Sequence, residues 1–223
     1  MTQRERSPKV VVFGATGPTG QRIIARAVEE DYRIVAAARH RNTMRSDRPE
    51  VEAVSVDVVD PHADLDQLIN GAVAVLSALG SRGRQPTTVY SDGTRRIVEA
   101  MGRHQVRRLI CISSDGIETP KELPWPQRVV MSHVIQRLYR YQYADMSKME
   151  AYLDDVPLDW TVIRAPRLTD GPPSGNIQVS LDEPILEAGA LRRADLAEFM
   201  LDAIDRPDTF RRRVHLASPR KNR

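Results

Sequence analysis

Short apolar runs recur along the chain, each followed by a polar break and then by apolar positions at helical spacing. The first, Lys9-Val10-Val11-Val12-Phe13, is continuous rather than alternating, as a parallel strand covered on both faces must be. It leads directly into Gly14-Ala15-Thr16-Gly17-Pro18-Thr19-Gly20. Ile23, Ile24, Ala27 and Val28 then fall on one helical face. The same alternation continues through strands expected at 33–38, 51–56, 72–76, 109–112 and 160–163. Helices are expected at about 61–70, 87–104, 127–153 and 193–204. A short strand near Ile177-Val179 and a last one over Arg212-Val214-Leu216 complete the pattern. Strand and helix in turn imply a parallel sheet with helices on both sides. The expected fold is α/β, a Rossmann-like doubly wound parallel sheet with a small C-terminal substrate lobe. Its expected divisions are a flexible segment 1–8, a single domain 9–217 and a basic tail 218–223.

In such open sheets ligands lie across the C-terminal strand ends, at the point where strand order reverses. The glycines after the first strand allow a tight turn and close approach to a pyrophosphate, and the following helix offers its N-terminal N–H groups. Pro18 suits a first helical turn, where no N–H is needed. Gly14, Thr16, Gly17, Pro18, Thr19 and Gly20 are therefore candidate dinucleotide-binding residues. The second strand ends at Ala38-Arg39-His40-Arg41, where a binder of the unphosphorylated cofactor places an acid. A guanidinium instead grips a 2′-phosphate, so Arg39 points to NADP(H), against the alternative of a solvated basic loop. Asp57 is placed to meet the adenine through its side chain or a neighbouring amide, or to cap the helix after Pro61.

Composition removes several classes. At 223 residues the chain can bury a sizeable core without disulfides. Cys111 is its only cysteine, and its apolar neighbours mark it as a buried strand residue. A reducing cytoplasm is the expected setting. No apolar run reaches the ~20 residues of a membrane span, and residues 1–9 lack an apolar signal core. A net charge of +3 is too small to imply nucleic acid. Basic clusters at 39–45, 82–84, 103–108, 211–213 and 220–223 read as solvated surface and as attraction for an anionic cofactor. The five histidines show no metal-ligand spacing, so no metal is expected. The expected partner is a small-molecule substrate, with no nucleic acid and no membrane, on a monomer or weak homodimer.

The chain resembles the atypical short-chain dehydrogenase/reductases, in the compact NAD(P)H-binding branch of NmrA-like proteins and of the flavin reductase also called biliverdin IXβ reductase. The likeness rests on residues 13–20, Asp57-Val58, Pro86-Thr87-Thr88-Val89, Cys111-Ile112-Ser113-Ser114, Met146-Ser147-Lys148 and residues 193–200. The resemblance implies that Arg39 holds the 2′-phosphate and that Asp57 and Val58 meet the adenine. It places Leu79 and Gly80 at a ribose, Ser113 and Ser114 beside the nicotinamide, and Lys148 at the nicotinamide ribose. Pro166 and Arg167 would surround the carboxamide and substrate.

Most of that superfamily pairs a tyrosine with a lysine four residues on, and both share a helix face. Four residues before Lys148 stands Ala144. Tyr143 is five residues away, about 140° around an ideal helix. Tyr143 is thus a candidate that ideal geometry turns aside from Lys148, with ordinary packing as the alternative; Lys148 itself could pair with Asp145. Ser114 is a candidate donor and Arg167 a candidate anchor for a substrate anion. A ketone reductase needs a positioned acid, whereas a flavin, quinone or tetrapyrrole gives a delocalised anion. The expectation is hydride transfer from NADPH to a conjugated acceptor. A non-catalytic NADP(H) sensor and a tailoring ketoreductase or epimerase are the alternatives.

Overall fold

The computed structural model describes residues 7–39, 48–81, 83–119, 125–186 and 188–219. His40 and Arg41, the basic residues at 41–45, Arg82 and the tail 220–223 lie outside them. The buried runs become strands: β1 (Lys9–Phe13), β2 (Arg33–Ala38), β3 (Val51–Ser55), β4 (Ala74–Ser77), β5 (Arg108–Ser114) and β6 (Asp159–Ala165). Short strands follow: β7 (Leu168–Thr169), β8 (Gln178–Leu181), β9 (Ala188–Gly189) and β10 (Leu191–Arg192). The last is β11 (Arg212–Pro219).

Among the described residues the sheet order is β3-β2-β1-β4-β5-β6-β11-β8. Pairing is parallel from β3 to β11, and β8 and β9 run antiparallel to β11. The chain leaves β1 toward β2 and β3 on one side, and returns to β4 on the other. The order therefore reverses beside β1, where the glycine turn is. β7 and β10 pair as a small separate sheet.

Helices α1 (Pro18–Glu29) and α7 (Arg193–Asp202) cover one face, burying Ile23, Ala27, Leu196 and Met200 with Val10, Val12 and Ile163. Helices α2 (Asp66–Ile69), α3 (Ser91–Arg103) and α6 (Arg140–Asp154) cover the other. There Ile97, Met101, Met149 and Leu153 pack on Val11, Leu109 and Trp160. Alternate residues of one strand thus enter different cores, which is why the strands read as unbroken apolar runs.

Three elements depart from the sequence expectation. The helix expected over 61–70 forms only as α2. Ahead of it, the Asp57, Asp60 and Asp64 carboxylates accept the N–H groups of Val59, His62 and Asp66, which competes with a helical ladder. Asp57 thus closes its own turn rather than capping a helix. The helix expected over 127–153 is broken into α4 (Trp125–Val130), a wide turn Met131–Ile135, α5 (Gln136–Leu138) and α6. The break falls where β-branched residues concentrate, at Val129, Val130, Val134 and Ile135. α3 begins at Ser91, later than expected, because the buried Asp145 accepts the N–H groups of Tyr90 (2.9 Å) and Ser91 and the Ser91 hydroxyl.

Candidate cofactor and substrate site

A cavity of about 510 Å³ opens across the C-terminal ends of β1–β6, within the usual range for small-molecule sites. Its floor is the glycine turn. Gly14 has φ +77°, and a Cβ there would lie 2.2 Å from the Ala78 carbonyl oxygen. Only glycine allows the turn to pass this close to β4. Gly17 precedes α1 and has no side chain to cap it, and Pro18 takes the first helical position. The first N–H groups of α1 are left without a side-chain partner, at the end of the helix that favours an anion. Thr16, Gly17, Pro18 and Thr19 line the cavity beside them. This cradle fits a dinucleotide pyrophosphate. Gly20 does not line it; a Cβ there would lie 2.3 Å from the Gly14 carbonyl oxygen, so this glycine sets the contact between helix and turn.

One end of the cavity is formed by Arg39, Asp57 and Val58. Arg39 is exposed, and its carbonyl accepts the Ser55 hydroxyl at 3.0 Å, which ties the end of β2 to β3. The Asp57 carboxylate is already engaged with the Val59 N–H at 3.2 Å. Leu79, Gly80 and Tyr90 form the middle; the Tyr90 hydroxyl accepts the Ser81 N–H at 3.2 Å. At the far end stand Ser113, Ser114, Met146, Pro166 and Arg193. The buried Ser113 donates to the Glu150 carboxylate at 2.6 Å. Ser114 accepts the Gly116 N–H at 3.2 Å and hydrogen-bonds Tyr143.

Tyr143 and Lys148 separate as a regular helix requires, and neither lines the cavity. Tyr143 is half-buried against Gly116, and Lys148 is exposed. A Cβ on Gly116 would lie 2.2 Å from its hydroxyl, so that glycine makes room for the ring. Burial, reinforced by Tyr139 and Asp115, raises the phenol pKa above 10.0, against a lowering contribution from Ser114. Lys148, expected at the nicotinamide ribose, is exposed and does not line the cavity. Met146, one turn after Tyr143, occupies that wall. Lys148 does not pair with Asp145, which is taken up by the start of α3. Arg167 is likewise exposed and does not line the cavity, although Pro166 and Leu168 on either side of it do; its carbonyl receives the Leu191 N–H. The guanidinium at this end belongs to Arg193, held 3.0 Å from Asp170.

Sequence reasoning also missed Glu150, His215 and Arg108. Glu150 is 2% exposed on α6 and gathers Ser113, Arg164 and Arg213. His215 Nδ1 lies 2.6 Å from Asp115 Oδ1, next to Ser114 in the chain. Arg108, expected within a solvated cluster, is buried. A charged residue inside an otherwise apolar strand was the available signal for Arg108, and an acid beside Met149 and Leu153 on the inner face of α6 was the signal for Glu150. Cys111 is buried, and burial pushes its thiol pKa up, as an inert strand residue requires.

Comparison with known proteins places this site in a family. An uncharacterised chloroplastic protein of Arabidopsis thaliana is 25% identical over 207 residues, covering 89% of this chain and 72% of its own. Among solved structures, a wide-type short-chain dehydrogenase/reductase from Veillonella parvula in complex with NADP superposes with TM-score 0.80. It has 17% identity, and the match covers 95% of each chain. An anaerobillin reductase from Escherichia coli O157:H7 superposes with TM-score 0.71 and 20% identity, covering 96% of this chain and 99% of its own. No helix among the described residues is long and apolar enough to cross a membrane. The sequence model of the NAD(P)H-binding family matches residues 14–207, from the first glycine of the turn to the stretch between α7 and β11, and the chain belongs to that family.

Proposed function

We propose that the protein is an NADPH-dependent reductase acting on a conjugated small-molecule acceptor of flavin or tetrapyrrole type. The carrying observation is the α6 wall, which presents Met146 to the site, sets a half-buried Tyr143 against Gly116 and turns Lys148 outward, so that no lysine-activated phenol lines the cavity. Without a neighbouring cation, and with burial raising its pKa, the phenol keeps its proton at neutral pH and is a weak acid. Such a donor suits an acceptor that spreads the incoming charge over a conjugated system better than a ketone, whose alkoxide needs a strong acid at one atom.

When bound, NADPH supplies the hydride. The residues of the chain do the rest. The N–H groups at the start of α1 hold the pyrophosphate, and Arg39 meets the 2′-phosphate. Ser113, Ser114 and Pro166 position the ring end, and Arg193 attracts an anionic acceptor from the opposite side. The NADP-bound Veillonella structure supports the cofactor choice, and the anaerobillin reductase supports the acceptor class.

Oxidation of NADPH followed at 340 nm against flavins, quinones, linear tetrapyrroles and ketones tests the reading. Turnover with conjugated acceptors and little with ketones is expected. Turnover confined to ketones would overturn the acceptor class, and tight NADPH binding with no turnover would leave a cofactor-sensing protein.

A further inference from the structure

Ser113 and Glu150 form a pair with a single allowed polarity. Glu150 is almost wholly buried, yet two guanidiniums meet it, Arg164 Nη2 at 2.7 Å and Arg213 Nε at 2.9 Å. Burial opposes ionisation, but hydrogen bonds from Arg164, Ser113 and Arg213 outweigh it and lower the carboxyl pKa. An ionised carboxylate only accepts, so the 2.6 Å contact with Ser113 Oγ uses the one proton of that hydroxyl. Ser113 lines the cavity, and what its hydroxyl has left to offer a ligand is lone pairs alone.

We infer that Ser113, oriented by Glu150, is an obligate hydrogen-bond acceptor that selects the carboxamide N–H of the nicotinamide ring. Ser113 is catalytically silent in this assignment; it fixes the ring, and Glu150 is the positioning residue behind it. The placement follows from the cavity. Its two ends are the Arg39 end, beside β2 and β3, and the Ser113 end, beside β5 and β6. A dinucleotide lying across the strand ends with its 2′-phosphate at Arg39 brings its pyridine ring to Ser113. On that ring the carboxamide is the group with N–H protons. The inference rests on the NADPH reading above, and it adds which atom of the cofactor this serine recognises and why its partner must be charged.

The test is a binding cycle that needs no turnover. The native protein and Ser113→Ala are titrated with NADP⁺ and with its 3-acetylpyridine analogue, in which a methyl group replaces the amide nitrogen. One neutral hydrogen bond predicts that the native protein prefers NADP⁺ by about two- to tenfold. Ser113→Ala should abolish the preference by weakening NADP⁺ alone. Glu150→Gln should reduce the same ratio, because its amide can donate and lets Ser113 reverse. If that variant fails to fold around Arg164 and Arg213, Ser113→Ala still decides. An unchanged ratio in Ser113→Ala, or equal loss of both ligands as a merely structural serine would give, overturns the inference and leaves the NADPH reading standing. Failure of the native protein to bind either ligand overturns both.

Discussion

At the scale of single residues the site separates groups that chemistry needs from groups that sequence position only suggests. Arg39 illustrates the first kind. It lines the cavity at the end of β2, the place where a carboxylate would repel a 2′-phosphate. Arg39→Ala should weaken NADPH by about ten- to a hundredfold, the worth of one charge-assisted contact, and leave NADH nearly unchanged. Fluorescence titration with both cofactors measures it, and equal losses would show that Arg39 does not read the phosphate. Lys148 illustrates the second kind. It resembles a family lysine in the chain but is exposed, so Lys148→Ala should change NADPH affinity and turnover by no more than about twofold, as ordinary surface substitutions do. Tyr143→Phe removes the partner of Ser114. With a delocalising acceptor its cost in kcat should stay below the ~100-fold expected for a lost general acid. Steady-state kinetics of the two variants side by side check the pair, and loss of nearly all turnover in Tyr143→Phe with normal NADPH binding would revive a ketone reductase.

At the scale of elements, what could be read from the chain was what burial dictates. β1, β2, β4, β5 and β6 are covered on both faces, so their apolar runs identified them, and the glycine turn followed from strand plus helix. Polar side chains that compete for backbone groups are harder to read. Asp57, Asp60 and Asp64 shortened α2, and Asp145, 54 residues from Ser91, set the start of α3. Neither effect has a periodic signature. The α6 wall was only partly legible for a related reason. The 140° between Tyr143 and Lys148 was legible, but that Met146 and neither of them lines the cavity depends on how α6 packs, through Met149 and Leu153. The junction of β1 and α1 carries its own prediction. A methyl at Gly20 would stand 2.3 Å from the Gly14 carbonyl oxygen, a backbone atom with no rotamer to escape into. Gly20→Ala should destabilise the protein by about 1–3 kcal/mol and displace the turn that holds the pyrophosphate. Chemical denaturation and NADPH titration should both register the change, and a variant normal in both would mean that α1 shifts freely on the sheet.

At the scale of the whole molecule, cofactor binding and stability are assigned to opposite ends of the same strands. Ser114 closes β5 at the cavity, while Arg108 opens it about 20 Å away, at ~3.3 Å per strand residue. Arg108 is 5% exposed, and burial pulls its pKa down to about 10, leaving it charged at neutral pH. Its guanidinium binds the carbonyls of Ala203 (3.1 Å) and Ile204 (3.2 Å) and the hydroxyls of Thr161 (2.8 Å) and Thr209 (3.1 Å). It also stacks 4.5 Å over the Phe210 ring. Thr161 in turn donates to the Thr209 carbonyl at 2.7 Å. One side chain therefore ties the segment after α7 to β5 and β6, and so positions the entry into β11. Arg108→Met keeps the aliphatic stem but leaves those buried carbonyls without a donor. An unsatisfied buried acceptor costs about 1–3 kcal/mol. The substitution should lower stability by on the order of 3 kcal/mol, or Tm by roughly 6–12 °C for a chain of this length. NADPH affinity measured well below the transition should be unchanged, because no residue of this cluster lines the cavity. A Tm within a degree or two of the native value would show that water or local rearrangement satisfies the carbonyls. A selective loss of NADPH affinity at unchanged Tm would show that the two ends of the sheet are coupled rather than independent.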